Sequence, residues 1–114
     1  MTAAFVYKIV SAADWARAKA TGIVAPSPVD VRDGYIHLSD PGQTLETADR
    51  HFADAADLVA LEIPAERIAA ALRYEPAPKR GALFPHLYGP LRSADVARVR
   101  PLRRVDGAFQ FVDS

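Results

Sequence analysis

The first residues that could bind a ligand or react lie in the stretch Gly34-Tyr35-Ile36-His37-Leu38-Ser39. Apolar and polar side chains alternate there as in a β-strand, whose successive side chains point to opposite faces. The alternation places Tyr35, His37 and Ser39 on one face, so that an imidazole and a hydroxyl become neighbours. A neutral imidazole donates one hydrogen bond and accepts another, which suits the paired hydroxyls of a ribose. We therefore interpret this face as a ligand-binding one, with a partly buried histidine hydrogen-bonded to a neighbouring strand or loop as the alternative.

A helix start follows this stretch directly. Asp40 is suited to the N-cap, Pro41 to the first helical position and Gln43 to the third position of a capping box. A helix N-terminus gathers unpaired N–H groups and the positive end of the helix dipole. The sequence thus predicts an anionic ligand group near His37, Ser39 and Gln43, with Ser39 as an additional cap being the alternative.

The second stretch of interest is Phe84-Pro85-His86-Leu87-Tyr88-Gly89-Pro90. An extended backbone would put Phe84, His86 and Tyr88 on one side, where they would form a binding wall. Pro85 argues against an interior strand, because proline cannot donate to a sheet ladder. The alternative is a rigid loop whose aromatic rings complete the core and whose histidine bonds to backbone.

A carboxylate would complete a site of this kind. Glu75 lies at the end of a predicted strand, where side chains often project into clefts, whereas Glu62 lies within an apolar strand. Glu75 is therefore the candidate catalytic residue. A salt bridge to a neighbouring basic side chain is the alternative for either glutamate.

Several other chemistries lack their sequence patterns. The chain has no cysteine, which removes disulfides, thiolate metal sites and cysteine nucleophiles. Its three histidines do not have the spacing of a zinc site, so we expect no metal. Neither a nucleophile-elbow G-x-S-x-G nor a glycine-rich phosphate loop is found, which makes a serine hydrolase or a P-loop protein a poor interpretation.

Length and charge bound the class of protein. We expect residues 1–114 to form one domain with its own core, since half of them are hydrophobic and a quarter are charged. Lys plus Arg and Asp plus Glu both number 14, so no electrostatic argument favours general nucleic-acid or membrane binding. A start unlike a secretory signal and the lack of a long apolar run indicate a cytoplasmic location.

The elements that must position these residues can be predicted from capping and periodicity. The sequence predicts two main helices, from Ser11 to Gly22 and from Pro41 to Phe52, separated by an irregular connection over residues 23–34. Strands are predicted at Ala4–Val10, Leu58–Ile63, Ala71–Glu75, Val99–Val105 and Ala108–Val112. This order lacks regular strand–helix alternation, so we predict a compact α+β domain rather than a doubly wound parallel sheet.

The two stretches, in this order, resemble a family of small bacterial proteins known as domain of unknown function 952. The resemblance extends over nearly the whole chain and rests on Gly34–Ser39 and Phe84–Leu91. That family is grouped by fold with ADP-ribosyltransferases. The resemblance therefore implies a split, strongly bent antiparallel sheet that binds NAD in a cleft.

The same resemblance implies roles for individual residues. In ADP-ribosyltransferases a histidine on an early strand, often followed two residues later by Ser or Thr, holds the nicotinamide-side ribose, and His37 and Ser39 are similar to that pair. An aromatic residue stacks on nicotinamide, as Tyr88 or Tyr74 would, and a later glutamate acts on the ribose, as Glu75 would. The implied ligand is NAD or an ADP-ribose-like nucleotide, and the implied chemistry is ADP-ribosyl transfer or NAD glycohydrolysis. A non-catalytic small-molecule or protein-binding module using the same cleft is the alternative, and the oligomeric state is left open.

Overall fold

Antiparallel strands and short helices alternate irregularly along the chain, whose computed structural model describes residues 3–77 and 81–112. The strands among these residues are β1 (Phe5–Ser11), β2 (Ile23–Val24), β3 (Ile36–His37), β4 (Leu58–Pro64), β5 (Leu72–Pro76), β6 (Leu83–Leu87), β7 (Leu91–Arg92), β8 (Arg98–Val105) and β9 (Ala108–Phe111). The α-helices are α1 (Ala12–Thr21), α2 (Pro28–Asp33) and α3 (Thr44–His51), and 3₁₀ helices lie at Pro41–Gln43, Ala65–Ala71 and Ser93–Asp95. No helix in these two ranges is long and apolar enough to cross a membrane.

Within residues 3–77 and 81–112, every strand pair is antiparallel, and the pairs form three sheets. The largest has the order β1-β4-β8-β9, a second has the order β3-β6-β5, and β2 pairs with β7 alone. Tyr7 of β1 and Ser39 join the first two sheets, since the backbone N–H of each donates to the carbonyl of the other at 2.8 and 2.9 Å. The predicted α+β class with an antiparallel, curled sheet is thereby confirmed.

The two predicted helices form for the local reasons that their sequences suggested. The Ser11 hydroxyl accepts a hydrogen bond from the Asp14 N–H at 3.0 Å, and Gly22 ends α1 with a φ of 88°. The second helix begins with the 3₁₀ turn at Pro41–Gln43, where Gln43 Oε1 accepts from the Asp40 N–H at 3.0 Å. Both predicted helix starts are therefore confirmed.

The prediction of an irregular connection over residues 23–34 is wrong. This segment contains β2 and α2, and α2 begins with a capping box. The Asp30 N–H donates to the Ser27 hydroxyl at 3.2 Å, while Asp30 Oδ2 accepts from the Ser27 N–H at 2.9 Å. Ser27-Pro28-Val29-Asp30 repeats the S-x-x-D pattern of the first helix with proline at the first position, so the helix has a local cause.

Pro85 lies in β6, the central strand of the three-stranded sheet, contrary to the expectation that proline excludes an interior position. Its carbonyl accepts from the Leu38 N–H at 3.0 Å, and the pairing of β3 with β6 ends at that point. The missing proline N–H thus falls at the end of a ladder, where it removes one bond without interrupting others.

Two buried clusters lie on opposite sides of the largest sheet. One includes Val6, Leu61 and Ile63 together with Ile36 and Leu87 of the three-stranded sheet. The other packs alternate residues of the same strands against α3; its members are Tyr7, Ile9, Ala48, Leu58, Ala60, Leu102 and Phe109. Because one face of the three-stranded sheet is committed to the first cluster, its other face is left to carry the polar and aromatic residues.

Candidate functional site

The outer face of the three-stranded sheet collects side chains from both sequence stretches. His37 of β3 pairs with His86 of β6, and His86 pairs on its other side with Arg73 of β5. Since residues two apart on a strand share a face, Glu75 accompanies Arg73. We term this surface the histidine face; its residues are Tyr35, His37, Arg73, Glu75, Phe84, His86 and Tyr88.

The ring of Tyr35 occupies the middle of the histidine face. It stacks on His86 with centroids 4.0 Å apart and planes at 23°, and it lies tilted at 4.6 Å from His37 and 5.2 Å from Tyr88. His86 is only 4% exposed, whereas Tyr88 is 43% exposed. The two sequence stretches thus form one continuous aromatic surface, with Tyr88 at its solvent-accessible end. Phe84 is buried beneath this surface.

Glu75 is held in place by two residues of the second stretch. Its Oε1 atom accepts from the Tyr88 hydroxyl at 2.6 Å and lies 2.8 Å from His86 Nδ1. These hydrogen bonds, from Tyr88 first and then from His86, hold the pKa of Glu75 below its ordinary value. An ionised carboxylate only accepts hydrogen bonds, so the contact requires a proton on His86 Nδ1. The side chain of Glu75 is 37% exposed, and the face therefore presents a fixed negative charge to solvent.

His37 meets a carboxylate at each ring nitrogen. Nδ1 lies 2.7 Å from Asp30 Oδ1, and Nε2 lies 2.9 Å from Asp33 Oδ2. The backbone N–H of His37 also donates to Asp30 Oδ1 at 3.0 Å. Both ring nitrogens are thus occupied by protein groups, and a ligand could reach Nε2 only by displacing Asp33.

Asp30 is one of two residues at this site that sequence reasoning missed; the other is Arg73. Asp30 is 2% exposed, and besides His37 it accepts from Lys8 Nζ and the Ser27 N–H, at 2.7 and 2.9 Å. Burial alone would raise the pKa of Asp30, but the hydrogen bonds from His37 and the charge of Lys8 outweigh burial and hold it well below its ordinary value. The Ser27-x-x-Asp30 pattern could have identified the helix cap. Nothing in the sequence pointed to Lys8, which lies on another sheet.

Three other predicted residues bind neighbouring elements. The Ser39 hydroxyl is buried and donates to Thr47 Oγ1 at 3.3 Å, and Gln43 Nε2 donates to the Leu83 carbonyl at 2.8 Å. The Tyr74 hydroxyl donates to Asp40 Oδ1 at 2.6 Å; burial, followed by this bond, raises the pKa of Tyr74 to about 12. These contacts hold the start of the second helix against the sheets. Thr47 and Leu83, which accept from Ser39 and Gln43, do not belong to the histidine face.

Glu62, the other glutamate considered, has a structural partner. It accepts from the Tyr7 hydroxyl at 2.7 Å and lies 4.0 Å from Arg100 across neighbouring strands. In the part of the chain that the structure describes, no group of three or more His, Cys, Asp or Glu side chains could hold a metal ion.

An open cleft of about 360 Å³ lies beside Tyr35. Its walls are mostly apolar and come from both sequence stretches and from α2, including Gly34, Gly89, Pro90 and Val31. Tyr35 lines this cleft as well as the histidine face. Tyr35 therefore separates the apolar cleft from the histidine face.

Comparison with known proteins places the chain among small proteins of similar structure. Protein CC0527 from Caulobacter crescentus has 44% sequence identity to this chain. Its crystal structure superposes on this one with a TM-score of 0.84, and the match covers 93% of each chain. The crystal structure of a double variant of that protein has 43% sequence identity and a TM-score of 0.84, with the same coverage. The solution NMR structure of CC0527 has 43% sequence identity and a TM-score of 0.80, and the match covers 93% of this chain and 91% of that one. No curated protein matches this sequence.

A family profile matches most of the chain. The profile is described as "Protein of unknown function (DUF952)" and covers residues 9–99, a range that contains both stretches of the histidine face. Together with the sequence identity to CC0527 over nearly the full length, this match shows that the chain belongs to the DUF952 family.

Proposed function

We propose that this protein binds a ribose-containing nucleotide, of the NAD or ADP-ribose kind, on the histidine face. The observation that carries the proposal is the partly exposed, ionised Glu75, which His86 and Tyr88 hold beside the aromatic rings. A carboxylate accepts hydrogen bonds from paired sugar hydroxyls, and the flat rings of Tyr35 and Tyr88 offer apolar surface to a sugar or heterocycle. The ADP-ribosyltransferase fold that the sequence resemblance implies supports the ligand class as an analogy.

The same arrangement suits cleavage of an N-glycosidic bond. As the bond between the ribose and its leaving group breaks, positive charge develops on the sugar, and a fixed carboxylate stabilises that charge. Glu75 would supply the carboxylate, while His86 and Tyr88 keep its orientation. Water as the acceptor would give glycohydrolysis, and another nucleophile would give ADP-ribosyl transfer.

His37 enters this proposal through a rearrangement. Asp33 is the partner that a ribose hydroxyl would replace, because its side chain is 27% exposed, while Asp30 on the other ring nitrogen is buried. Displacing an exposed carboxylate costs little, since surface ion pairs contribute about 0–1 kcal/mol. After displacement, Asp30 would still fix the ring and leave Nε2 directed at the ligand.

The alternative is a non-catalytic module that binds another small molecule or a protein at the same place. It is favoured by the contacts of His37 and Ser39. His37 has carboxylates at both ring nitrogens, and Ser39 is bonded to Thr47, so the ribose-holding pair suggested by the ADP-ribosyltransferase resemblance is not assembled.

The Glu75→Gln variant tests the proposal, because it keeps the shape of the side chain and removes its charge. We expect ADP-ribose binding, followed by NMR titration, to weaken about tenfold or more, since hydrogen bonds to charged groups contribute about 1.5–3 kcal/mol. Glu66→Gln, an exposed carboxylate in a 3₁₀ helix, is the control and should leave affinity unchanged.

Two results separate the alternatives. Release of nicotinamide from NAD by the wild type, abolished in Glu75→Gln, supports catalysis, whereas binding without release supports the non-catalytic module. The proposal of a nucleotide ligand fails if neither NAD nor ADP-ribose gives saturable shifts at millimolar concentration.

A further inference from the structure

A second charged side chain on the histidine face narrows the class of ligand. Arg73 lies two residues before Glu75 on β5 and pairs with His86 of β6. Its side chain is exposed, and its guanidinium carbon lies 5.6 Å from the centroid of the Tyr88 ring. Arg73 therefore shares the aromatic surface with the carboxylate, although no sequence pattern had singled it out.

Tyr88 stands between the two charges. Its hydroxyl donates to Glu75 at 2.6 Å, while its ring lies next to the Arg73 guanidinium. Residues two apart on a strand have Cα atoms about 7 Å apart and point to the same face, so an anion and a cation lie on one side of the sheet with Tyr88 in contact with both. A ligand that satisfies both groups must carry hydrogen-bond donors at one end and an anion at the other.

Resting on the proposed function, we infer that Arg73 binds the phosphate of the ligand, so that the histidine face prefers 5′-phosphorylated ribose compounds to nucleosides. A nucleoside offers hydroxyl groups to Glu75 but nothing to a cation. A 5′-nucleotide adds a phosphate at the far side of the same sugar. The planar guanidinium suits that group, because it donates two parallel hydrogen bonds to phosphate oxygens.

The test compares AMP with adenosine, which differ only in the phosphate. We expect the wild type to bind AMP about tenfold more tightly, and Arg73→Gln to reduce AMP affinity to that of adenosine while adenosine affinity stays the same. Arg103→Gln on β8, an exposed arginine of another sheet, is the matched control and should keep the tenfold preference. NMR spectra of the free variants establish that both are folded.

The outcomes distinguish this inference from the proposed function. An AMP preference that survives in Arg73→Gln overturns the phosphate role of Arg73 but leaves nucleotide binding intact. If neither AMP nor adenosine binds, the NAD and ADP-ribose titrations still decide nucleotide binding, and inorganic pyrophosphate becomes the probe of Arg73. Pyrophosphate shifts on the histidine face that vanish in Arg73→Gln still support an anion site at Arg73, and their absence from the wild type overturns it.

Discussion

The carboxylate of Asp30 joins three elements through four hydrogen bonds. It accepts from Lys8 on β1, from the Ser27 N–H at the start of α2, and from the backbone and ring of His37 on β3. Lys8 is itself buried, and burial lowers its pKa even though Asp30 opposes that shift. Each of the two charges is therefore tolerated in the interior because the other is present.

Removing this carboxylate should be costly. In Asp30→Ala, Lys8 stays buried without its counterion, and we expect the free energy of unfolding to fall by about 3–5 kcal/mol. Asp33→Ala is the matched control, since it removes the exposed carboxylate on the same histidine and should cost no more than about 1 kcal/mol. Urea denaturation measures both values, and equal losses in the two variants would contradict the structural role given to Asp30.

At the scale of elements, α2 connects a local cap to the site. Its six residues are too few for a helix to be stable alone, so α2 depends on its capping box and on packing. The same Asp30 side chain caps the helix and orients His37. Destabilising α2 should therefore also disturb the position of the His37 ring on the histidine face. The first helix has an equivalent serine cap at Ser11. The hydrogen bond of that cap joins Ser11 to Asp14 and does not involve His37 or His86.

This difference can be tested with two serine substitutions. Ser27→Ala and Ser11→Ala should each lower the free energy of unfolding by about 1 kcal/mol, the usual contribution of an N-cap side chain. Only Ser27→Ala should also shift the NMR signals of the His37 ring and speed amide exchange in α2. If Ser11→Ala perturbs His37 as strongly, the coupling does not run through the cap of α2.

For the whole molecule, the lowered carboxylate pKa values predict loss of stability in acid. The pKa values of Asp30, Asp33 and Glu75 lie below their ordinary values of 3.8, 3.8 and 4.5 in the folded protein. The unfolded chain therefore takes up protons first as the pH falls, which favours unfolding. The stabilisation is fully present above these ordinary values and is lost as the pH falls through the lower folded ones.

Urea unfolding across a pH series checks this expectation. The contribution of these carboxylates should be constant between pH 7 and pH 5.5, and the midpoint should then decline steadily toward pH 3. Most of the decline should come from Asp30, because it is the buried carboxylate of the three. A midpoint that does not change between pH 5.5 and pH 3 would be inconsistent with these shifts.

Local signals in the sequence predicted much of the fold. The helices beginning at Ser11 and Pro41 follow from side chains that bond to backbone within three residues. The strands predicted at Val99–Val105 and Ala108–Val112 pair with one another as β8 and β9. The same kind of signal is present at Ser27, where the S-x-x-D pattern begins α2. Strand alternation also brought Phe84, His86 and Tyr88 to one side of the sheet, because that period is a property of the backbone.

Tertiary structure alone decided how these elements meet. Alternation predicted that Ser39 would stay beside His37. In the structure the segment that follows β3 stops pairing with β6 after Leu38, and Ser39 pairs with Tyr7 of β1 instead. The buried partner of Asp30 is 22 residues away, at Lys8. Which groups become neighbours depends on the register and order of distant strands, and the period of one segment carries no information about its partner. The sequence by itself determined the helix caps, the strand alternation and the family; the pairing of strands determined that Glu75, His86 and Tyr88 form one hydrogen-bonded group.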